Sequence, residues 1–414
     1  MGTKNQFQDL ETTWIVDTSN DTYTLGKNAE INTDGESAIE VLEDANNNDI
    51  VLKGDAIATN ANTVVKVAGS GTHFSIAQSG SIQGASSGIG LLSTGANFSL
   101  VNDGYISGDS YAVSVTDFSE VDNNGVIVSG QVGVAGDDGL DLFNSNSING
   151  EVYGVLANAD GTVIRNVAGA QIISEGAAIG LSGEGTAIIR NAGLLKGQQV
   201  VSDGDGDTTI INTGKMLGNA QLGAGDDVFN TRNGKFDGVV NGGDGDDLYV
   251  ISKSNTQIEE LPAFGYDTVK STVSFTLGDN LEDLTLLGAK NANATGNEGS
   301  NVLRGNRGDN ILNGMGGNDY LIGGKGDDTL FGGAGQDMFD FRKGTGDDVV
   351  EDFVNGEDVI FTPFANDGPE IADLIANHAS EKGGGVLITY GQDSLFLKGM
   401  TLEQLDESDF FSGL

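Results

Sequence analysis

Residues 296–340 divide without a gap into five nonapeptides: GNEGSNVLR, GNRGDNILN, GMGGNDYLI, GGKGDDTLF and GGAGQDMFD. Their consensus is Gly-Gly-x-Gly-x-Asp-x-apolar-x, and a chain that repeats at so short a period must stack the same atoms at the same place in each layer. Six Gly-rich residues read as a turn and the last three as a short strand. The apolar eighth positions, Leu303, Leu312, Leu321, Leu330 and Phe339, then face inward and build a core one side chain thick. So thin a core cannot easily offset the entropy of ordering the chain. The sixth positions are Asn301, Asn310, Asp319, Asp328 and Asp337. They offer oxygens at turns whose glycines leave backbone carbonyls accessible. Calcium takes about six to eight such oxygens, and a ligand that binds only the folded state adds the missing stability.

This block resembles the calcium-binding repeat of the RTX proteins. The resemblance implies two nonapeptides per coil, turns alternating between two edges, and calcium ions shared by turns 18 residues apart. It pairs Asn301 with Asp319, Asn310 with Asp328, and Asp319 with Asp337. Asparagine at the first two positions departs from the consensus. It keeps an oxygen but loses a charge, so those outer sites are expected to be weaker. Gly344-Thr-Gly-Asp-Asp348 repeats the turn after a two-residue slip and offers Asp348 to the last site. Upstream, LGAGDDVFN (222–230) and GGDGDDLYV (242–250) fit the same template with Asp227 and Asp247 at the sixth position. Asp203-Gly-Asp-Gly-Asp207 occupies a similar place one coil earlier. These are read as turns of a longer solenoid that have acquired metal sites.

A second, longer repeat fills the first half. The template Asn-x-Gly-x-apolar-x-Gly is clearest at Asn102–Gly108, Asn191–Gly197 and Asn212–Gly218, with looser copies from Asn48, Gln78, Asn123, Asn144, Asn166 and Arg232. Between copies the apolar residues alternate, as in Phe98-Ser-Leu-Val101, which is the period of a strand with one buried face. Three short strands fit into about 21 residues, one coil of a parallel β-helix with layers about 4.8 Å apart. The three prolines, Pro262, Pro363 and Pro369, all lie late, so nothing before them must break a ladder of strands. An asparagine recurring once per coil carries both donor and acceptor, and a column of them can hydrogen-bond along the stack.

The expected fold is therefore all-β: a right-handed parallel β-helix over 1–250, bridging strands over 251–295, a calcium-binding parallel β-roll over 296–348, and a small C-terminal cap over 349–414. In the bridge, Val269, Ser271, Val273, Phe275 and Leu277 alternate with polar residues. In the cap, Pro369–His378 has helical spacing, Gly385–Lys398 reads as a hairpin, and Thr401-Leu-Glu-Gln404 has the form of a capping box before a short helix. The order of these elements resembles the C-terminal region of RTX proteins exported by bacterial type I secretion. That resemblance implies an uncleaved C-terminal export signal, which suits a start, Met1 to Leu10, without the apolar core of a secretory signal peptide.

Charge and composition exclude several functions. Twenty basic residues against 61 acidic give a net charge of -41, which argues against nucleic acid and anionic membranes as partners. No apolar run reaches transmembrane length. There is no cysteine, hence no disulfide, thiolate site or cysteine nucleophile. The two histidines, His73 and His378, stand apart, no HExxH motif occurs, and no catalytic constellation is visible. Arg165 and Arg190 each precede a repeat asparagine, which would set them one coil apart on one edge. The expected function is that of a secreted extracellular bacterial protein, non-enzymatic and calcium-stabilised. Its role would be structural, adhesive or matrix-forming, at the cell surface or against extracellular polysaccharide. The rival is a polysaccharide lyase, epimerase or carbohydrate-binding module built on the β-helix.

Overall fold

The computed structural model describes residues 3–6, 10, 12–59, 61–84, 88–262, 265–363 and 371–411. The chain divides into two compact units, residues 1–243 and 244–414, and both are parallel β-solenoids.

In the first unit each coil contributes three short strands, and each strand pairs in parallel with its counterpart one coil on. One face runs through Thr22–Leu25, Asp49–Leu52, His73–Ile76, Ser99–Asn102, Glu120–Asn123, Asp141–Asn144, Thr162–Asn166, Ala187–Asn191 and Thr208–Asn212. Alternation puts every second residue inside, and the register stacks these one on another: Tyr23, Ile50, Phe74, Leu100, Val121, Leu142, Ile164, Ile189 and Ile210 form one inward column. Each is at most 1% exposed, and burial of such a side chain contributes about 1.5–3 kcal/mol. Two further faces repeat the arrangement, one through Tyr105–Gly108 and Val126–Ser129, the other through Tyr111–Val115 and Val132–Gly136.

The asparagines form a second inward column. Nδ2 of Asn102 donates to Oδ1 of Asn123, and the same bond links Asn123 to Asn144, Asn144 to Asn166, Asn166 to Asn191 and Asn191 to Asn212, each at 2.8 Å. The second amide proton of Asn123, Asn144, Asn166, Asn191 and Asn212 goes to a backbone carbonyl of the following coil at 3.0–3.1 Å. All six are buried, and a buried amide is tolerated only when so satisfied.

The column is shorter than the sequence template suggests. In the coil before Asn102 its place is taken by Ile76, and Gln78 lies two residues further on. Asn48 instead donates to the Ala45 carbonyl and accepts from the Asp21 N–H. The early coils are longer: the register steps from Tyr23 to Ile50, Phe74 and Leu100 are 27, 24 and 26 residues, against 21 from Leu100 to Val121. In these coils the column position is held by the apolar Leu52 and Ile76. At the far end, Asn212 donates to Oγ1 of Thr231 rather than to the Arg232 position. Arg165 and Arg190 are register partners, and Arg165 is held by Asp141. His73 is half-buried beside Ser99.

The second unit has two principal faces. One runs through Leu248–Ile251, Thr268–Ser271, Asp283–Leu286, Val302–Arg304, Tyr320–Ile322, Met338–Asp340 and Val359–Phe361. The other runs through Phe275–Thr276, Asn293–Thr295, Ile311–Asn313, Thr329–Phe331 and Asp347–Val350. The eighth-position Leu303, Leu312, Leu321, Leu330 and Phe339 are all fully buried. The alternating bridge run is not one strand. Oγ of Ser271 bonds both the N–H and the carbonyl of Val273, turning the chain from one face to the other, so Val273 does not point inward as alternation alone implies.

The cap is a hairpin, Gly385–Tyr390 against Asp393–Lys398, whose second strand continues the roll by pairing in parallel with Asp347–Val350. The helical spacing of 369–378 appears as a short helical segment over 371–378; Pro369 lies outside the described residues. Thr401 and Gln404 do bond, the Thr401 N–H donating to Oε1 of Gln404 at 3.0 Å, but only a turn follows. The complete capping box belongs to Asp406 and Asp409, around a single 3-10 turn.

The asparagine column makes a direct prediction. Asn144→Ala, in its middle, leaves an Asn123 proton and the Asn166 oxygen without side-chain partners. It should cost about 2–4 kcal/mol in denaturant melts, whereas Asn124→Ala, at the exposed neighbouring position, should cost under about 0.5 kcal/mol.

Candidate metal centre

The nonapeptide turns alternate between two edges of the roll. Their glycines supply conformations closed to other residues: Gly324 and Gly326 have φ of +104° and +110°. Met315 occupies a consensus glycine position at φ +81°, which costs a non-glycine residue about 1–2 kcal/mol. The first glycine of each repeat serves a different need. A methyl group at Gly323 would lie 2.4 Å from Oδ2 of Asp328. At Gly314 it would meet both Oδ2 of Asp319, at 2.0 Å, and the Gly332 carbonyl oxygen, at 2.4 Å. Glycine leaves a niche in which acceptor oxygens converge.

The sixth positions are linked coil to coil through the backbone. The N–H of Asn301 donates to Oδ1 of Asp319 at 2.7 Å, and that of Asp319 to Oδ1 of Asp337 at 2.9 Å. The Asp337 N–H donates to Oδ1 of Asp358 at 3.0 Å. On the other edge Asn310 donates to Asp328, at 2.7 Å, and Asp328 to Asp348, at 2.9 Å. One carboxylate oxygen is thus used. The second, Oδ2, of Asp319, Asp328 and Asp337 is buried with no hydrogen-bond partner. An unsatisfied buried carboxylate oxygen is costly, and burial accordingly pushes Asp319 up to about 7 and Asp328 up to about 6, with Asp348 at about 7 and Asp358 at about 6. The donor set fits calcium: hard oxygens, carboxylate beside carbonyl, no nitrogen or sulfur. Calcium, when bound, supplies the positive charge and coordination that these oxygens lack.

The fifth positions distinguish the two edges. One carries a second acidic column: the Asp327 N–H donates to Oδ1 of Asp309 and the Asp347 N–H to Oδ1 of Asp327. The other carries Ser300, Asn318 and Gln336 in the same bonding pattern.

The upstream candidates fall in different units. In the first, Oδ1 of Asp227 accepts from the Thr208 N–H at 2.6 Å, and Oδ1 of Asp207 accepts from the Asp226 N–H at 2.9 Å. This is the same arrangement as in the nonapeptide turns. In the second, Asp247 joins two residues that the repeat template does not single out, Glu260 and Asp267. Their carboxylate oxygens lie within 4.8 Å of one another and all three residues are buried. The Asp247 N–H donates to Oδ1 of Asp267, and the Asp267 N–H to Oε2 of Glu282 at 2.7 Å. Burial pushes Asp267 up to about 7, and Tyr249, bonded to Glu260, is pushed well above its usual value. Asp358 and Asp267 escaped the nine-residue template because their coils have other lengths. The local signal is present, however: Gly356-Glu-Asp358 and Gly265-Tyr-Asp267 both place the carboxylate two residues after a glycine.

The family description "RTX calcium-binding nonapeptide repeat (4 copies)" matches residues 295–330 and 313–350. Among solved structures, the extracellular lipase LipA from Serratia marcescens is similar at 17% identity with a TM-score of 0.20, over 54% of this chain and 39% of that one. The chain thus spans well under half of that lipase's length. A search of curated proteins gives no match.

Two outcomes follow for the site. A carboxyl whose value is raised from 3.8 to between 6 and 7 takes up a proton on folding, so the ion-free fold is favoured in acid and loses that stability as pH rises through 6 to 7. In chelator the melting temperature should therefore fall from pH 5 to pH 8. Calcium should flatten that slope and release protons, as read by calorimetry in buffers of different ionisation enthalpy; a chelated chain more stable at pH 8 than at pH 5 would contradict this. Gly323→Ala, whose methyl would lie 2.4 Å from Oδ2 of Asp328, should remove about one bound ion per chain in equilibrium dialysis.

Proposed function

Because the chain carries RTX calcium-binding nonapeptide repeats in a parallel β-solenoid, we propose that it is a secreted bacterial protein that completes its fold on extracellular calcium and then serves as a structural or adhesive element. The observation that carries this reading is the set of buried carboxylate oxygens of Asp319, Asp328 and Asp337. Without cations, a chain of net charge -41 must either protonate these groups or leave the roll open, because self-repulsion opposes compaction. In calcium-poor cytosol that keeps the C-terminal unit loose and exportable. At the millimolar calcium typical of extracellular modules the same residues close the coils. Residues 349–414 then act twice, as the region read by a type I exporter and as the strand-pairing cap of the roll.

The role proposed for the folded solenoid is one of surface rather than turnover. Arg165, the best-placed cation for an acidic sugar, is already engaged by Asp141. The two histidines lie far apart in sequence, one in each unit. The exposed acidic column of Asp309, Asp327 and Asp347 on one edge of the roll suits contact with a matrix or cell surface through shared ions.

The test is a calcium titration of the full-length chain, purified in chelator and followed by far- and near-ultraviolet dichroism. Ordered-strand signal should rise cooperatively with calcium and far less with magnesium, which demands a smaller octahedral cage. Spectra indifferent to chelator would refute calcium-driven folding. Hydrolysis or elimination of alginate or pectate under the same conditions would replace the structural role with an enzymatic one.

A further inference from the structure

Asn301 and Asn310 stand in the sixth-position columns but are bonded unlike the aspartates that follow. In Asn301 the side-chain oxygen accepts from the Asn297 N–H at 2.7 Å, and Nδ2 donates to the Leu281 carbonyl of the preceding coil at 2.9 Å. In Asn310 the oxygen accepts from the Asn306 N–H at 2.8 Å, and Nδ2 donates to the Ala292 carbonyl at 2.7 Å. Both side chains are buried, at 2% and 1% exposure, and neither leaves an orphaned atom. Their second-position neighbours complete the turns: Oδ1 of Asn297 and of Asn306 accept from the N–H groups of Gly299 and Gly308, with Nδ2 anchored on carbonyls of the coil before.

The contrast with the next layer is chemical. A carboxylate presents only acceptors, so Oδ2 of Asp319, Asp328 and Asp337 has nothing to offer the carbonyls around it. An amide presents one acceptor and two donors and bonds such a carbonyl directly. The other end of the stack is also closed without an ion on one edge, where Oδ2 of Asp358 accepts from the Val354 N–H at 2.8 Å.

We infer that Asn301 and Asn310 are ion-independent terminators, one on each edge, whose amides take over the bridging that calcium performs from Asp319 and Asp328 onward. Resting on the calcium reading above, this assigns the two turns no ion of their own, rather than weak sites. It also gives the roll a preformed first layer on which the ion-requiring turns assemble. The fourteen residues from Asn297 to Asn310 hold both terminators and both side-chain-closed turns, so this layer is specified within one short segment.

The experiment compares full-length wild type with Asn301→Asp, Asn310→Asp and Asp319→Asn. Bound calcium is measured by equilibrium dialysis, and melting temperature is measured in chelator and in saturating calcium. Each Asn→Asp change puts an anionic oxygen against the Leu281 or Ala292 carbonyl. It should lower the melting temperature in chelator and raise the stoichiometry by one ion per chain. Asp319→Asn, which needs no new fold, should lose one ion yet melt higher than wild type in chelator, because its amide can satisfy the niche. Unchanged stoichiometry in both Asn→Asp variants, or an Asp319→Asn chain that melts lower in chelator, overturns the terminator assignment while leaving the calcium reading intact. Wild type that binds no calcium ends both.

Discussion

Side chains that stack on copies of themselves must satisfy one another, and this requirement governs both units of the protein. A solenoid brings equivalent residues to a spacing of about 4.8 Å, so whatever polar group occupies an inward turn position meets its own kind above and below. An amide solves the problem alone. From Asn102 to Asn212 each Nδ2 finds the next Oδ1 at 2.8 Å, and the column is as saturated as a strand ladder. A carboxylate cannot do so, since it has acceptors and no proton at neutral pH. It can take one backbone N–H from the preceding coil, as Asp319 does from Asn301 and Asp337 from Asp319, and it is then left with an oxygen that only a proton or a cation can satisfy.

Two kinds of cohesion follow from this difference. Outside the turn at Asp207 and Asp227, the first unit is held by hydrophobic columns and neutral hydrogen bonds, which respond little to pH or metal. The roll of the second unit has a narrower interior, essentially one eighth-position side chain per half-coil, and its stability is tied to charge. The raised values of Asp319 and Asp328 express the same fact as their orphaned oxygens, and the same burial raises Asp348 and Asp358: it disfavours the charged form until something positive arrives. Proton and calcium thus compete for the same oxygens, and linkage couples both to folding.

Much of this was legible in the sequence because repetition is legible. The nine-residue block fixed which residues face inward, from Leu303 to Phe339, and which stack 18 apart. The Asn-x-Gly template located the asparagine column from Asn102 onward. What the sequence hid were departures from period. Asn48 and Gln78 match the template loosely yet stand outside the column, whose position in the early coils is held by Leu52 and Ile76. Ser271 used its hydroxyl to fold a corner inside an apparently continuous alternation. Glu260, Asp267 and Asp358 reach the carboxylate columns from coils of irregular length, where counting by nines cannot find them. The bonding of Asn301 and Asn310 was invisible for another reason: composition records that an oxygen is present, but not that its amide nitrogen already faces a carbonyl.

The ends of a stack decide whether its columns stay in register, since the last layer has a neighbour on one side only. At the C-terminal end the protein recruits side chains from the cap to stand in for the missing coil. Asp393, at the start of the hairpin's second strand, accepts from the N–H groups of Gly344 and Gly346 at 2.8 and 3.1 Å. Its neighbour Ser394 donates to Oδ1 of Asp347 and so ends the fifth-position column. The strand they begin pairs with Asp347–Val350 and covers the open edge, the usual remedy for an unpaired ladder. On the other face Phe410 and Phe411 pair with Ile360 and Phe361. The cap therefore does by hydrogen bonding and strand addition what cations do between the layers beneath it. The C-terminal hairpin is thus the segment whose docking closes the edge of the roll.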